Sequence, residues 1–209
     1  MKEIEIKAHV YNREEVISIL NSLPESTPLG TTEKSDVYYH IPLTSKKSKA
    51  HKKDKSAEKN HISVRFRTEI ENDSKKSIVF TYKQKEVLVK ADGSSIEVND
   101  ENECTVSDSV PFIKMIEALG GTVSLEKHKS VIHWQVISDG FSAHTELCTV
   151  PPLGDFLEIE IISESAEEDL VNAAKTAEEK ILTLCNIPLS QIEPRYYREM
   201  LNKVANNSD

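Results

Sequence analysis

The sequence predicts an α+β fold: an antiparallel sheet rolled into a barrel, with helices flanking its apolar outer side. Three observations lead there. Strand-length segments alternate between charged and apolar residues, the pattern of strands with two unlike faces. At least six of them place like charges at i and i+2: Glu3/Glu5, Arg65/Arg67, Lys83/Lys85, Glu101/Glu103, Lys127/Lys129 and Glu158/Glu160. The opposite face of most of these segments is Ile, Val, Phe or Leu, and helical stripes elsewhere in the chain could cover it. Like charges stacked two residues apart repel, which is tolerable when each cluster meets an opposite charge or a charged ligand. An open sheet with one wet face accounts for any single strand. The whole set is better explained by closure, which gathers cationic and acidic pairs around one lumen.

The elements follow in order. Glu3 to Lys7 is the first strand, with Glu3, Glu5 and Lys7 on one face and Ile4 and Ile6 on the other. Arg13 to Leu23 is a helix with Asn12 as its N-cap and Pro24 as its stop. Thr31 to Ile41 is a strand that sets Asp36, Tyr38 and His40 against Val37, Tyr39 and Ile41. Between Lys46 and Lys59, seven lysines against Asp54 and Glu58, without aromatic interleaving, predict a mobile solvated loop (46–60); attraction of anions is the alternative. His61 to Ile70, Ser77 to Val87 and Ile96 to Val106 are strands, the last two joined around Asp92-Gly93. Ser107 or Asp108 caps a helix running to Leu119, which Gly120-Gly121 end. Thr122 to Ser130 and Val131 to Ser138 read as two strand stretches, and Asp139-Gly140 turns the chain into Phe141 to Val150. Phe156 to Ile162 is the last strand. A long helix over Ala166 to Leu184, with Ser165 and Glu168 at capping-box spacing, and a short one over Pro194 to Val204 complete the chain.

At 209 residues, 38% hydrophobic and 29% charged, the chain suits one domain, 1–209, with a real core. A net charge of −9 argues against nucleic acid as a partner. No apolar run approaches the ~18 residues of a membrane span and no signal-like segment opens the sequence. Cys104, Cys148 and Cys185 form no CxxC pair, so neither a disulfide framework nor a zinc site is expected, and a cytoplasmic location follows.

The charged faces carry the chemistry. Their cationic side chains exceed what internal pairing needs, so a polyanion is expected between them. Carboxylate pairs without neighbouring His or Cys suit hard cations, Mg²⁺ or Mn²⁺. With no P-loop and no GxGxxG, the residues point to phosphoryl or nucleotidyl chemistry built without a Walker loop.

The motif Glu3-x-Glu5-x-Lys7, with Arg65-x-Arg67, Lys83, Glu101, Lys127-x-Lys129 and Glu158-x-Glu160, resembles the CYTH or triphosphate tunnel metalloenzyme superfamily. Leu119-Gly120, Glu126-Lys127-x-Lys129-Ser130, Leu153-Gly154-Asp155-Phe156-x-Glu158 and Glu193-Pro194-Arg195-x-Tyr197-Arg198 are most similar to class IV adenylyl cyclases within it. The resemblance implies a closed antiparallel eight-stranded β-barrel, a tunnel that binds ATP or another triphosphate with Mg²⁺ or Mn²⁺. It makes Glu3, Glu5 and Glu158 metal carboxylates, with Glu101 and Glu160 as secondary acidic positions. Lys7, Arg65, Arg67, Lys83, Lys85, Lys127 and Lys129 would hold the triphosphate, Arg195 would reach the tunnel mouth, and Glu5, Lys7, Lys127 and Lys129 would be closest to the reaction. No membrane partner is implied, and homodimerisation is left open.

Three positions depart from the family pattern. Lys129 stands where Arg is usual, Asn99 where Arg is common, and Cys148 where an Asp precedes the Leu-Gly turn. Glu146, two residues earlier on the same face, is about 7 Å away along a strand and is the candidate substitute. Adenylyl cyclisation is the leading expectation. Hydrolysis of inorganic or thiamine triphosphate, and triphosphate binding with weak catalysis, are the alternatives.

Overall fold

The computed structural model describes residues 2–42, 61–89, 95–163 and 167–206; of residues 2, 61, 83–89, 95–101 and 206 only the backbone is described. The lysine-rich stretch, the Asp92-Gly93 turn and Ser165 of the expected capping box lie outside the described residues. In chain order the elements are β1 (Lys2–Val10), α1 (Arg13–Ser22), β2 (Ser26–Pro42), β3 (His61–Glu71), β4 (Lys75–Val89), β5 (Ser95–Thr105) and α2 (Val110–Ala118). Then come β6 (Thr122–Ser138), β7 (Phe141–Val150), β8 (Gly154–Ser163), α3 (Glu168–Leu184), a 3₁₀ turn at Leu189–Gln191, and α4 (Tyr197–Asn206).

The eight strands form one antiparallel sheet in the order β1-β8-β7-β6-β2-β3-β4-β5. The expectation of eight antiparallel strands with flanking helices holds. Closure is not shown: among the described residues no ladder joins β1 to β5 and hydrogen bonds do not close the sheet. The edge of β1 not used by β8 is taken by the C-terminal segment. Ala8 bridges Ile192, and the Glu193 N–H donates to the Lys7 carbonyl at 2.7 Å.

Two compact units make up the chain: Met1–Lys34, Glu71–Ser74 and His128–Asp209 in the first, Ser35–Ile70 and Lys75–Lys127 in the second. In the first unit the apolar strand faces predicted from alternation are buried. Ile4, Ala8, Trp134, Leu147, Leu157, Ile159 and Ile161 pack against Val16 and Leu20 of α1 and Ala174, Ala177, Ile181 and Leu182 of α3. Asn12 caps α1 as expected, its Oδ1 accepting from the Glu15 N–H at 3.3 Å. Asp139 and Gly140 both take positive φ, 49° and 84°, the geometry of a two-residue hairpin turn.

In the second unit, Tyr39, Val64, Phe66 and Ile116 are the buried centre, with Val37, Ile41, Phe80 and Ile113 packed on it. The α2 helix ends where Gly120 turns to φ 81° and the Gly121 N–H donates to the Ile116 carbonyl at 2.8 Å. A Cβ on Gly121 would stand 2.4 Å from Ile116 Cγ2, so Gly121 is sterically required there, while Gly120 is favoured by its positive φ.

Two boundaries differ from expectation. β6 is a single strand from Thr122 to Ser138, not two stretches meeting at Ser130. The alternation that carries Lys127 and Lys129 continues unbroken through Val131 and His133. Only polarity changes, because Val131 packs with Cys148, Val150, Phe156 and Met200. β2 starts at Ser26, five residues before the expected Thr31. Gly30 has φ 109° and lies against Asn72 Oδ1, which accepts from the Thr31 N–H at 3.0 Å.

Candidate active site

The polar face of the first unit is built by register. Across β1, β8, β7 and β6, Lys7 stands opposite Glu158, Glu158 opposite Glu146, and Glu146 opposite His133. The neighbouring row is Glu5, Glu160, His144 and Gln135. Period-two alternation thus lines up side chains that the sequence scatters over some 150 positions.

At the centre of this face, the buried Lys129 ammonium is clasped by two carboxylates. It donates to Glu146 Oε2 at 2.8 Å and to Glu158 Oε2. Lys34 donates to the other Glu146 oxygen at 2.8 Å. The fully buried Cys148 has its sulfur 3.8 Å from Glu146 Oε2 and 3.7 Å from Glu158 Oε2. The Glu146 side chain therefore leans along β7 to reach the surroundings of position 148. Lys7 donates to the Arg195 carbonyl at 2.6 Å and lies 4.3 Å from the centre of the Tyr197 ring, a cation–π contact. Tyr197 of α4 meets Phe156 edge-on at 5.1 Å.

Charge states follow from this packing. Burial opposes the Lys129 charge, but the Glu158 and Glu146 carboxylates outweigh it and hold its pKa well above the ordinary value. Burial would likewise raise Glu146, yet a bond from His144 and the charges of Lys129 and Lys34 keep its carboxyl well below the usual range. Cys148 is pushed far up, by burial first, so it is a neutral thiol beside two carboxylates. Burial lowers Lys7. Glu5 keeps solvent contact, but the protein packed around it and the neighbouring Glu158 raise its pKa. Burial, with Glu3 nearby, raises Glu160.

The second unit holds a cluster of its own. The Asp36 side chain has no solvent exposure and accepts from Arg67 Nε at 2.7 Å and Arg67 Nη2 at 3.1 Å. Lys127 Nζ is 2.9 Å from its second oxygen. Burial works against that carboxylate, but Arg67 and Lys127 drive its pKa far below normal, and Asp36 raises Arg67 in return. Arg65 donates from Nη2 to Thr81 Oγ1 and Glu103 Oε1, each at 2.9 Å. Its Nε is buried without a hydrogen-bond partner among the described residues.

Of the candidate residues, Lys7, Lys129, Glu5, Glu158 and Glu160 share the polar face of the first unit, with Glu3 exposed at its end. Arg65, Arg67 and Lys127 belong to the second unit's cluster. Lys83, Lys85 and Glu101 have side chains outside the described residues; Lys83 is opposite Glu101 in the β4–β5 register. Arg195 is exposed and forked onto Glu193, with Nε 2.8 Å from Oε1. Sequence reasoning left His133, His144, Lys34 and Asp36 unassigned. The signal for His144 was His144-x-Glu146-x-Cys148, a polar alternation as regular as those of the other strands.

Among the described residues, two groups offer metal-ligating atoms at close range: Glu146, Cys148 and Glu158, and His133, His144 and Glu146.

Solved structures share the fold at low identity. The PH1819 protein of Pyrococcus horikoshii is similar at 22% identity and TM-score 0.66, over 97% of this chain and 99% of that one. A proposed adenylate cyclase from Vibrio parahaemolyticus is similar at 15% identity and TM-score 0.62, over 96% and 97%. The Hippeastrum protein HpAC1, described as a proposed adenylyl cyclase with a dominant triphosphatase activity, is similar at 10% identity and TM-score 0.55, over 96% and 94%. No curated protein matches the chain. The model of the CYTH domain matches residues 1–197, nearly the whole length that carries the alternating charged strands, and the chain belongs to the CYTH domain family.

Proposed function

We propose that this chain is a divalent-metal-dependent triphosphate enzyme, and that its reaction converts ATP to cyclic AMP and pyrophosphate. The observation that carries the reading is the clasp of Lys129 by the half-buried Glu146 and the buried Glu158, two carboxylates already holding a cation. The donor set fits a hard divalent ion, since Glu146 and Glu158 supply oxygens within 4.8 Å of one another. Mg²⁺ or Mn²⁺ bound there would supply Lewis acidity at a phosphate oxygen and favour ionisation of a nearby hydroxyl.

The chain's own residues then do the following. Glu146 and Glu158 would hold the metal, and with their charge so taken up the Lys129 ammonium would be available to a phosphate oxygen. Lys7, held over the Tyr197 ring, is a second ammonium for the same anion. The buried Arg65 Nε of the second unit is a donor suited to an anionic oxygen in its own cluster. In cyclisation the ribose 3′-oxygen bonds to the α-phosphorus, the bond to the β-phosphate oxygen breaks, and the hydroxyl proton leaves to solvent.

Hydrolysis at the terminal phosphorus is a second reading, favoured by one feature. Cys148 is a neutral thiol between the two carboxylates, too soft a group to bind Mg²⁺. Product analysis separates the readings. The full chain with Mg²⁺ or Mn²⁺ is supplied with ATP, GTP, thiamine triphosphate and tripolyphosphate. Cyclic AMP with pyrophosphate is expected; orthophosphate supports hydrolysis, and saturable binding without products supports a binding module. Turnover undiminished by EDTA would overturn the metal-dependent reading.

A further inference from the structure

We infer that His133, His144 and Glu146 form a separate site for a single borderline metal ion of the Zn²⁺ class, with one exchangeable position. Three observations support it. His133 Nδ1 and His144 Nε2 are 3.2 Å apart, and they lie 3.4 and 3.5 Å from Glu146 Oε1. Four ligands about 2.0–2.1 Å from a tetrahedral centre are separated by roughly 3.3–3.4 Å, so these three atoms already mark one face of a Zn²⁺ tetrahedron. A two-histidine, one-carboxylate set leaves the fourth vertex to water or to an anionic oxygen.

The second observation is the support behind the ligand. His133 Nε2 is 2.9 Å from Thr32 Oγ1, which fixes the ring so that Nδ1 is the nitrogen turned to Glu146 and His144. Metal-binding imidazoles commonly have their second nitrogen held in this manner. The third is that Glu146 divides its oxygens. Oε1 faces the histidines and Lys34, while Oε2 faces Lys129 and Cys148. The histidine site thus stands beside the oxygen-only pair without needing Glu158, and its nitrogen donors select a different class of metal. This inference does not rest on the triphosphate reading.

Lys34 is the competitor. Its ammonium sits 2.8 Å from the same Oε1 and must leave when a metal binds.

The test uses the full chain stripped of metal, with Co²⁺ and Zn²⁺ alone as probes. One equivalent of Co²⁺ should give the strong visible bands of four-coordinate cobalt, without a thiolate charge-transfer band. Zn²⁺ should displace it and raise the melting temperature. His133→Gln and His144→Gln should each lose the four-coordinate spectrum, and Thr32→Val should weaken Zn²⁺ about ten- to a hundredfold. Lys34→Met should tighten it. Six-coordinate cobalt only, a thiolate band from Cys148, or equal binding by folded histidine variants would overturn the site. Should both histidine variants fail to fold by circular dichroism, the decision passes to Lys34→Met, where unchanged affinity overturns it.

Discussion

Replacing Cys148 by aspartate places a third carboxyl where the sulfur now lies 3.7 Å from Glu158 Oε2 and 3.8 Å from Glu146 Oε2. At an effective dielectric of about 20, each like-charge pair near 4 Å costs about 4 kcal/mol. Lys129, the cation both carboxylates share, returns about one such interaction. The net cost is about 4 kcal/mol, or roughly three pKa units. The new carboxyl should therefore titrate near pH 7 in the folded protein, against about 3.9 when unfolded. A group whose folded pKa is raised binds its proton more tightly in the native state. Stability then falls as pH climbs from about 4 to about 7 and is flat above that. Urea unfolding of Cys148→Asp in EDTA should match the parent near pH 4 and fall short by up to about 4 kcal/mol near pH 8. Mg²⁺ or Mn²⁺ should recover most of the difference, because a third hard oxygen now joins Glu146 and Glu158. Cyclic AMP production should rise while triphosphate affinity stays within a few-fold. Parental stability in EDTA at pH 8, or a deficit that metal does not recover, would refute the placement of position 148 among these carboxylates.

Three further outcomes are expected. Asp36→Asn leaves Arg67 and Lys127 buried around a neutral amide, and should cost about 3–5 kcal/mol at neutral pH by urea unfolding. Because Asp36 is depressed in the folded state, that deficit should shrink as pH falls below about 3.9; a pH-independent deficit would contradict the ion cluster. Arg65→Ala should raise KM for the triphosphate, lower kcat, or both, by ten- to a hundredfold, since a charge-assisted contact contributes roughly 1.5–3 kcal/mol; unchanged kinetics would make that strand face merely structural. Glu178 of α3 is 1% exposed, has one oxygen without a partner among the described residues, and is pushed up to about 7, chiefly by burial. The Glu178 contribution to stability should therefore fall between pH 4.5 and about 7 and level off above, read as the difference between parent and Glu178→Gln in urea unfolding; a pH-independent difference would contradict the buried carboxyl.

Much of the site was legible because period-two alternation is local. Glu5 and Lys7 against Ile4 and Ile6, Arg65 and Arg67 against Val64 and Phe66, and Glu158 against Leu157 and Ile159 each set a charged face against an apolar one, as the sequence implied. Partner choice was not legible, because it depends on register between strands far apart in the chain. Nothing near Asp36 announces Arg67 and Lys127, and nothing near Lys129 announces Glu146. Position 148 shows the same limit. Strand spacing put Glu146 about 7 Å from it, yet the longer glutamate leans along the strand to within 3.8 Å of the sulfur. The split expected in β6 arose from reading polarity as a boundary, when Val131 keeps the face of Lys129 and finds Met200 and Phe156 to pack against. Barrel closure was legible only as far as eight antiparallel strands, since among the described residues no ladder joins β1 to β5.

Glu146 gives one oxygen to the histidine pair and Lys34 and the other to Lys129. One negative charge is thereby divided between two neighbours, and whatever draws it toward one oxygen withdraws it from the other. Linkage makes such an arrangement reciprocal: if a cation at the histidine side loosens the grip on Lys129, an anion that removes Lys129 must strengthen the histidine side by the same factor. A single side chain is enough to make two occupancies report on each other, with no movement of the backbone.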